Sequence, residues 1–161
     1  MLERVLSNSR GLTIAELLVT IGIIGIVSVT AFPVFVNFLQ ATQTRGAARE
    51  LVDLLNQARQ LAIATNSRYQ VEIDTANNRL RFVRTNNGQP WIEPGTDGQG
   101  YRRLENQARL SNTNRPAFAF NPLGTTPDTG TITVQDSSGH SSLGVVVSTT
   151  GRIRICPPNC P

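Results

Sequence analysis

The feature that most constrains this sequence is an apolar stretch near its N-terminus, over residues 12 to 36. Its only ionisable side chain is that of Glu16, close to the beginning of the stretch. About 20 consecutive apolar residues suffice for a helix to cross a bilayer. We therefore expect residues 12 to 36 to form one transmembrane helix segment that anchors the chain in membrane lipid.

The segment before this stretch is short and polar, and it ends at Gly11. A secretory signal instead places its apolar region before the cleavage site. A basic leader with Arg4 and Arg10, then a glycine, then an apolar run with an acid at its fifth residue resembles a type IV prepilin. In that family a prepilin peptidase cuts after the glycine and the new terminal residue is methylated. The resemblance implies a leader over residues 1 to 11, cleavage between Gly11 and Leu12, and N-methylation of Leu12.

Glu16 has two interpretations. A carboxylate in a membrane segment is costly and usually has a partner. The resemblance implies that Glu16 pairs, during assembly, with the α-amino group of Leu12 on a neighbouring subunit. The alternative is that Glu16 lies at the level of the lipid headgroups and is simply solvated. The spacing from Gly11 favours the assembly role.

Gly25 and Pro33 interrupt the apolar stretch. Glycine weakens a helix, and an interior proline removes a backbone hydrogen bond and kinks the helix. In pilins, a glycine and a proline at these spacings from the cut bracket a segment that loses helicity in the filament. The alternative is a kink that lipid-buried backbone tolerates.

The charges before the membrane segment predict its orientation. Arg4 and Arg10 should hold the N-terminus in the cytoplasm, which places the C-terminal domain in the periplasm. The expected location is therefore the inner membrane, crossed once. Cys156 and Cys160 then lie on the oxidising side, where an even number of cysteines predicts a disulfide.

Beyond Pro33 the pattern becomes amphipathic, with apolar residues every three or four positions along one helical face. These residues are Leu51, Leu54, Leu55, Ala58, Leu61 and Ala62. From Arg68 the period changes to two, which predicts a hairpin over residues 68 to 83, and residues 86 to 100 form a surface loop rich in turn residues. Further strands are expected at residues 101 to 110, 117 to 120, 131 to 135, 143 to 148 and 152 to 156.

These elements predict an α+β fold, in which one long N-terminal helix, transmembrane and then amphipathic to about residue 65, packs on an antiparallel sheet. Residues 37 to 161 form the periplasmic domain. Four segments are similar to the FimT/GspH family of minor pilins and pseudopilins: Q-A-R-Q-L-A-I-A-T-N, F-A-F-N-P-L-G, G-T-I-T-V and V-V-V-S-T-T-G-R-I-R-I-C. The resemblance implies a structural subunit of a type IV pilus or related filament, whose partners are other pilin or pseudopilin subunits. The alternative is a pseudopilin of a type II secretion system, with protein partners and no DNA binding.

The segment G-R-I-R, residues 151 to 154, is the candidate binding site. In a strand, Arg152 and Arg154 share one side and lie about 7 Å apart. One DNA strand rises about 3.4 Å per nucleotide, so this spacing is on the scale of successive phosphates. In the FimT branch a matching segment is associated with DNA binding during natural transformation, which implies this role for Gly151, Arg152 and Arg154. The alternatives are a solvated strand face and the similar glycine-arginine pattern of GspH-type pseudopilins.

Catalysis has little support in the sequence, and we expect no enzyme and no cofactor. The one histidine, His140, lies in a serine-glycine loop, and neither a nucleophile elbow nor a phosphate-binding glycine loop is present. His140, Cys156 and Cys160 are too few ligands for a closed zinc site, so we expect no metal. The net charge of +4 permits an anionic partner such as double-stranded DNA without requiring one.

Overall fold

The computed structural model describes residues 13 to 104 and 108 to 157. The predictions for Gly11, Leu12 and Cys160 therefore concern positions outside the described residues. The chain divides into two compact units between Phe38 and Leu39.

The first unit is the N-terminal half of helix α1, which runs over Ile14–Ala64. The backbone N–H of Glu16 donates to Thr13 Oγ1 at 3.2 Å, so Thr13 caps the helix. Large apolar side chains are exposed along this half, and the helix is long and apolar enough to cross a membrane. The helix continues through Gly25 and Pro33, so a loss of helicity there stays a prediction for the assembled filament.

The second unit begins with the amphipathic half of α1, which ends at Ala64, close to the predicted end. Five residues of the predicted stripe are buried, and Leu61 is half-buried against the same core. The buried residues of the stripe are Leu51, Leu54, Leu55, Ala58 and Ala62. The three- and four-residue spacing therefore identified the face of the helix that packs on the strands.

The strands of the described residues are β1 (Tyr69–Asp74), β2 (Arg79–Arg84), β3 (Tyr101–Arg103), β4 (Arg109–Thr113), β5 (Ala117–Phe120), β6 (Gly130–Gln135), β7 (Ser142–Val147) and β8 (Ile153–Cys156). They form two antiparallel sheets of four strands each. The first sheet has the order β3-β2-β1-β5 and the second has the order β4-β6-β7-β8. The predicted fold class, one long helix packed on antiparallel strands, is confirmed.

The single strand expected over residues 101 to 110 is wrong. β3 pairs with β2 in the first sheet, whereas β4 pairs with β6 in the second. Leu104 and Ala108, which lie in the sequence between β3 and β4, are both buried in the core. The last strand also differs, because β8 begins at Ile153 and leaves Arg152 in the preceding turn.

The core is one cluster of apolar side chains from α1 and from both sheets. β1 and β6 each alternate strictly between buried and half-exposed residues, so each sheet has one core face and one outer face. Phe118 and Phe120 of β5 are fully buried and pack in the same cluster. The outer faces are therefore where binding side chains can lie.

Candidate nucleic-acid interface

The turn between β7 and β8 presents Arg152. The Gly151 N–H donates to the Ser148 carbonyl at 2.8 Å, and the Ser148 N–H donates to the Arg152 carbonyl at 3.0 Å. Arg152 is exposed in this turn, and Arg154 is exposed two residues later in β8. Both predicted arginines thus lie on the protein surface, where they can meet a ligand.

Gly151 has a packing role. It is buried, its φ is +75°, and a Cβ built on it would overlap the Gly124 carbonyl oxygen. That oxygen accepts a hydrogen bond of 2.8 Å from Arg59 Nε. Only glycine combines this left-handed backbone with so close an approach. The structure thus explains the glycine of G-R-I-R by backbone contact inside the fold.

Arg59, Gly124 and Gly151 join three segments that are far apart in the sequence, and we call this contact the glycine junction. A second link is the hydrogen bond of 3.0 Å from the Thr126 N–H to the Thr149 carbonyl. The junction attaches the turn that carries Arg152 to the last turns of α1. The sequence pattern does not single out Arg59, whose neighbours in the helix are the buried Ala58 and the exposed Gln60.

The two isoleucines of β8 behave differently. Ile153 packs against the core, as expected for the side of the strand opposite the arginines. Ile155 is 39% exposed, because β8 is an edge strand that pairs only with β7 among the described strands. Of the two isoleucines, Ile153 therefore contributes to the core and Ile155 lies largely at the surface.

Two arginines of the first sheet, Arg79 and Arg81, are paired with acids. Arg79 Nε lies 2.9 Å from Asp74 Oδ2, and Arg81 Nε lies 2.7 Å from Glu72 Oε2. Hydrogen bonds from Asn77 and Arg79 lower the pKa of Asp74 to about 2. Arg79 and Arg81 therefore belong to a strand face of paired charges.

Other candidate chemistry is sparse in residues 13 to 104 and 108 to 157. These residues hold no cluster of three or more histidine, cysteine or acidic side chains that could bind a metal ion. His140 is exposed in the turn between β6 and β7. Cys156 ends β8, and its disulfide with Cys160 stays a prediction.

Comparison with known sequences gives two matches. Residues 47–151 match the family model of the type II transport protein GspH. The chain is also 32% identical over 156 residues to the pilin-like protein PilA1 of Thermus thermophilus, covering 91% of this chain and 97% of that protein.

Solved structures share the fold. The minor pseudopilin EpsH from the type 2 secretion system of Vibrio cholerae matches with a TM-score of 0.57 and 17% identity, over 73% of this chain and 98% of that one. The type IV minor pilin FimU of Pseudomonas aeruginosa matches with a TM-score of 0.51 and 17% identity, over 70% and 92% of the two chains. At these identities the likeness concerns the fold, and both a secretion pseudopilin and a pilus subunit share it.

Proposed function

This chain belongs to the GspH family of pilin-like proteins, and we propose that it is a minor pilin of a type IV pilus that binds DNA without sequence preference. Its general role as a structural pilin or pseudopilin subunit follows from the family. The DNA-binding part rests on one observation, the exposure of Arg152 and Arg154 on a turn and edge strand that carry no acidic residue. The proposal assigns the chain no catalytic activity and no cofactor.

The two arginines can act as phosphate ligands. A guanidinium group presents a planar fork of donors that suits bidentate contact with phosphate oxygens. Arg152 has no ion pair with any acid in the described part of the chain. The glycine junction holds the turn in place, so less ordering is needed when a phosphate binds. Contacts of this kind fix a protein on the DNA backbone without reading the bases.

DNA binding can be tested with the full chain in nonionic detergent micelles and a random-sequence duplex, by fluorescence anisotropy at several salt concentrations. We expect the Arg152→Gln, Arg154→Gln double variant to bind about 100-fold more weakly, because each charge-assisted hydrogen bond contributes about 1.5 kcal/mol. The slope of log affinity against log salt should fall by about 2, since each phosphate contact contributes about 0.9.

An Arg79→Gln, Arg81→Gln variant is the control, because it makes the same change in net charge on the first sheet. If both double variants lose the same affinity, the binding reflects overall charge and the site is wrong. If the unmodified chain does not bind DNA at low salt, the DNA-binding function itself is wrong.

A second candidate function is that of a pseudopilin in a type II secretion system. The description of the matching family as a type II transport protein favours it. In that case the domain contacts protein partners, and Arg152 belongs to a protein interface or to a solvated face. Neighbouring genes for pilus retraction and competence, or for a secretion channel, distinguish the two systems.

For the N-terminal segment we propose cleavage between Gly11 and Leu12 by a prepilin peptidase, followed by anchoring in the inner membrane. The exposed apolar half of α1 fits the single-pass anchor typical of pilins. The proposed orientation has the N-terminus in the cytoplasm and the second unit in the periplasm. After assembly the apolar halves of neighbouring subunits pack together.

Glu16 offers a sharp test of assembly, because its charge can be removed while the hydrogen bond of the Thr13 cap is kept. Thr13 and Glu16 have the spacing of a capping box, in which glutamine can replace glutamate. Glu16→Gln and Glu16→Ala both remove the charge, and both keep the hydrogen bond from the backbone N–H of residue 16 to Thr13 Oγ1. Glutamine also keeps a side chain that suits the third position of a capping box. If Glu16 compensates the α-amino group of a neighbour, we expect both variants to be nearly absent from sheared filaments, with unchanged amounts of cleaved protein in the membrane. Incorporation of the glutamine variant at the normal level would show that assembly does not need the charge of Glu16.

A further inference from the structure

The outer face of the second sheet carries arginines at both of its edges. We infer that this face is one continuous phosphate-binding surface, in which Arg109 of β4 makes a further contact with the DNA backbone across the sheet from Arg152 and Arg154. This inference rests on the proposed function. It extends the DNA contact from the G-R-I-R segment to the whole outer face of the second sheet, which we call the footprint. Sequence analysis did not single out Arg109.

The strand register puts the arginines on the same face. Directly opposed residues of an antiparallel pair have their side chains on one side of the sheet. Arg109 is opposite Gln135 of β6, and Arg154 is opposite Val146 of β7, which is opposite Thr131 of β6. Gln135 and Thr131 belong to the half-exposed set of β6, whereas Ile132 and Val134 are buried. The register therefore places Arg109 and Arg154 both on the outer face.

The charge of this face is of one sign. None of the four strands of the second sheet contains an aspartate or a glutamate. Arg109 is exposed and makes no ion pair with the acids of the described residues. The first sheet is different, since its strand β1 carries Glu72 and Asp74, which pair with Arg81 and Arg79. A phosphate backbone that approaches the second sheet meets no repulsion from acids on its strands.

The distance across the face suits a duplex. β4 and β8 are separated by three strand spacings, or about 14 Å, and the two rows of residues differ by about 13 Å along the strands. The Cα atoms of Arg109 and Arg154 are therefore about 19 Å apart. This separation exceeds the width of the major groove of B-DNA, which is about 12 Å. The two edges of the sheet can therefore reach phosphates on both sides of the groove, and so on both strands.

The surface between the edges combines small and polar side chains with the half-exposed Val146. Gly144 lies at its centre, where a Cβ would be 3.1 Å from Thr131 Cγ2. Two open grooves flank it, one of about 420 Å³ beside Arg154 and one of about 480 Å³ beside Arg109. Both grooves include hydroxyl and amide side chains, and the groove beside Arg154 also includes Val146 and Val147. Hydroxyl and amide groups donate to phosphate and sugar oxygens. The face therefore predicts backbone contacts without base readout.

Arg109→Gln in the full chain, in nonionic detergent micelles with a random-sequence duplex of about 30 base pairs, tests the inference. We expect about tenfold weaker binding and a salt slope lower by about 1, as for the loss of one phosphate contact. Arg81→Gln, on the first sheet, makes the same change in net charge and is the matched control. Far-ultraviolet circular dichroism and urea unfolding verify that both variants are folded.

The outcomes separate this inference from the proposed function. If Arg109→Gln equals Arg81→Gln in affinity and slope while the Arg152→Gln, Arg154→Gln variant loses binding, the footprint is wrong and the proposed site stands. If Arg109→Gln loses binding beyond the control and the double variant does too, the footprint is supported. If the unmodified chain does not bind the duplex, the proposed function fails and the footprint with it.

Discussion

Replacement of Gly151 by alanine is expected to lower the free energy of unfolding of the second unit by about 2 to 4 kcal/mol. One part of this loss is the positive φ of +75°, which L side chains rarely adopt. The larger part is steric, because the new Cβ would overlap the Gly124 carbonyl oxygen and displace the hydrogen bond from Arg59. The turn that carries Arg152 must then move away from α1.

Gly88→Ala is the matched control for this prediction. Gly88 has a φ of +68°, but a Cβ built on it has nothing within 4 Å. Its replacement therefore has the backbone cost alone, about 1 kcal/mol. Urea unfolding of both variants measures the difference. Equal losses at the two positions would mean that the close contact with Gly124 contributes nothing, and the glycine junction would lose its structural role.

The glycine junction also shows which part of the site the sequence could predict. The alternation over residues 152 to 156 predicted an exposed pair of arginines, because a period of two is local information, although β8 itself begins at Ile153. The reason for the preceding glycine is not local, since it depends on a carbonyl oxygen 27 residues earlier and on Arg59 of the helix. A sequence shows that a glycine is present, and only the packed structure shows what lies against it.

The same distinction between local patterns and contacts of distant segments applies to the sheets. The strand patterns predicted most of the strands, and β5 has the predicted bounds. They did not predict two separate sheets, because the pattern of residues 101 to 110 is that of one strand. In the structure, Leu104 and Ala108 are buried between β3 and β4, which belong to different sheets. Strand order and register depend on contacts between distant segments, so the common outer face of Arg109 and Arg154 was out of reach from the sequence. At the N-terminus, by contrast, the T-x-x-E spacing of Thr13 and Glu16 is a local sequence signal for the helix cap that the structure shows.

Asp136, in the turn between β6 and β7, carries the second large prediction. Its side chain is buried, with the residue 1% exposed. Oδ1 accepts the Ser141 N–H at 2.8 Å, and Oδ2 accepts the N–H and the hydroxyl of Ser138. The Thr44 hydroxyl of α1 donates to the Ser141 carbonyl at 3.5 Å, so this turn also contacts the helix. Asp136 thus organises a turn that closes the hairpin of the second sheet.

Burial raises the pKa of Asp136, but the hydrogen bonds from Ser138 and Ser141 outweigh it, and the pKa lies below its ordinary value. The unfolded chain therefore binds more protons than the folded chain in acid, and stability rises with pH. The contribution of Asp136 is complete above its unfolded pKa of about 3.9 and is lost as the pH falls through the folded value. Asp74, whose pKa is lowered to about 2, adds a similar dependence in the same range.

We expect Asp136→Asn to lower the free energy of unfolding at pH 7 by about 2 kcal/mol. The amide nitrogen of asparagine would face an N–H or O–H group of Ser138 or Ser141, whose hydrogen bonds the carboxylate accepts. The variant should also lose less stability than the unmodified protein between about pH 5 and pH 2, since one of the two low-pKa carboxylates is gone. Urea unfolding at a series of pH values measures both effects. Ser137→Ala, in the same turn and without a hydrogen bond to Asp136, should retain the original pH profile. Parallel profiles for Asp136→Asn and the unmodified protein would show that the Asp136 carboxylate does not stabilise the fold through its charge, and the turn would then depend on backbone hydrogen bonds alone.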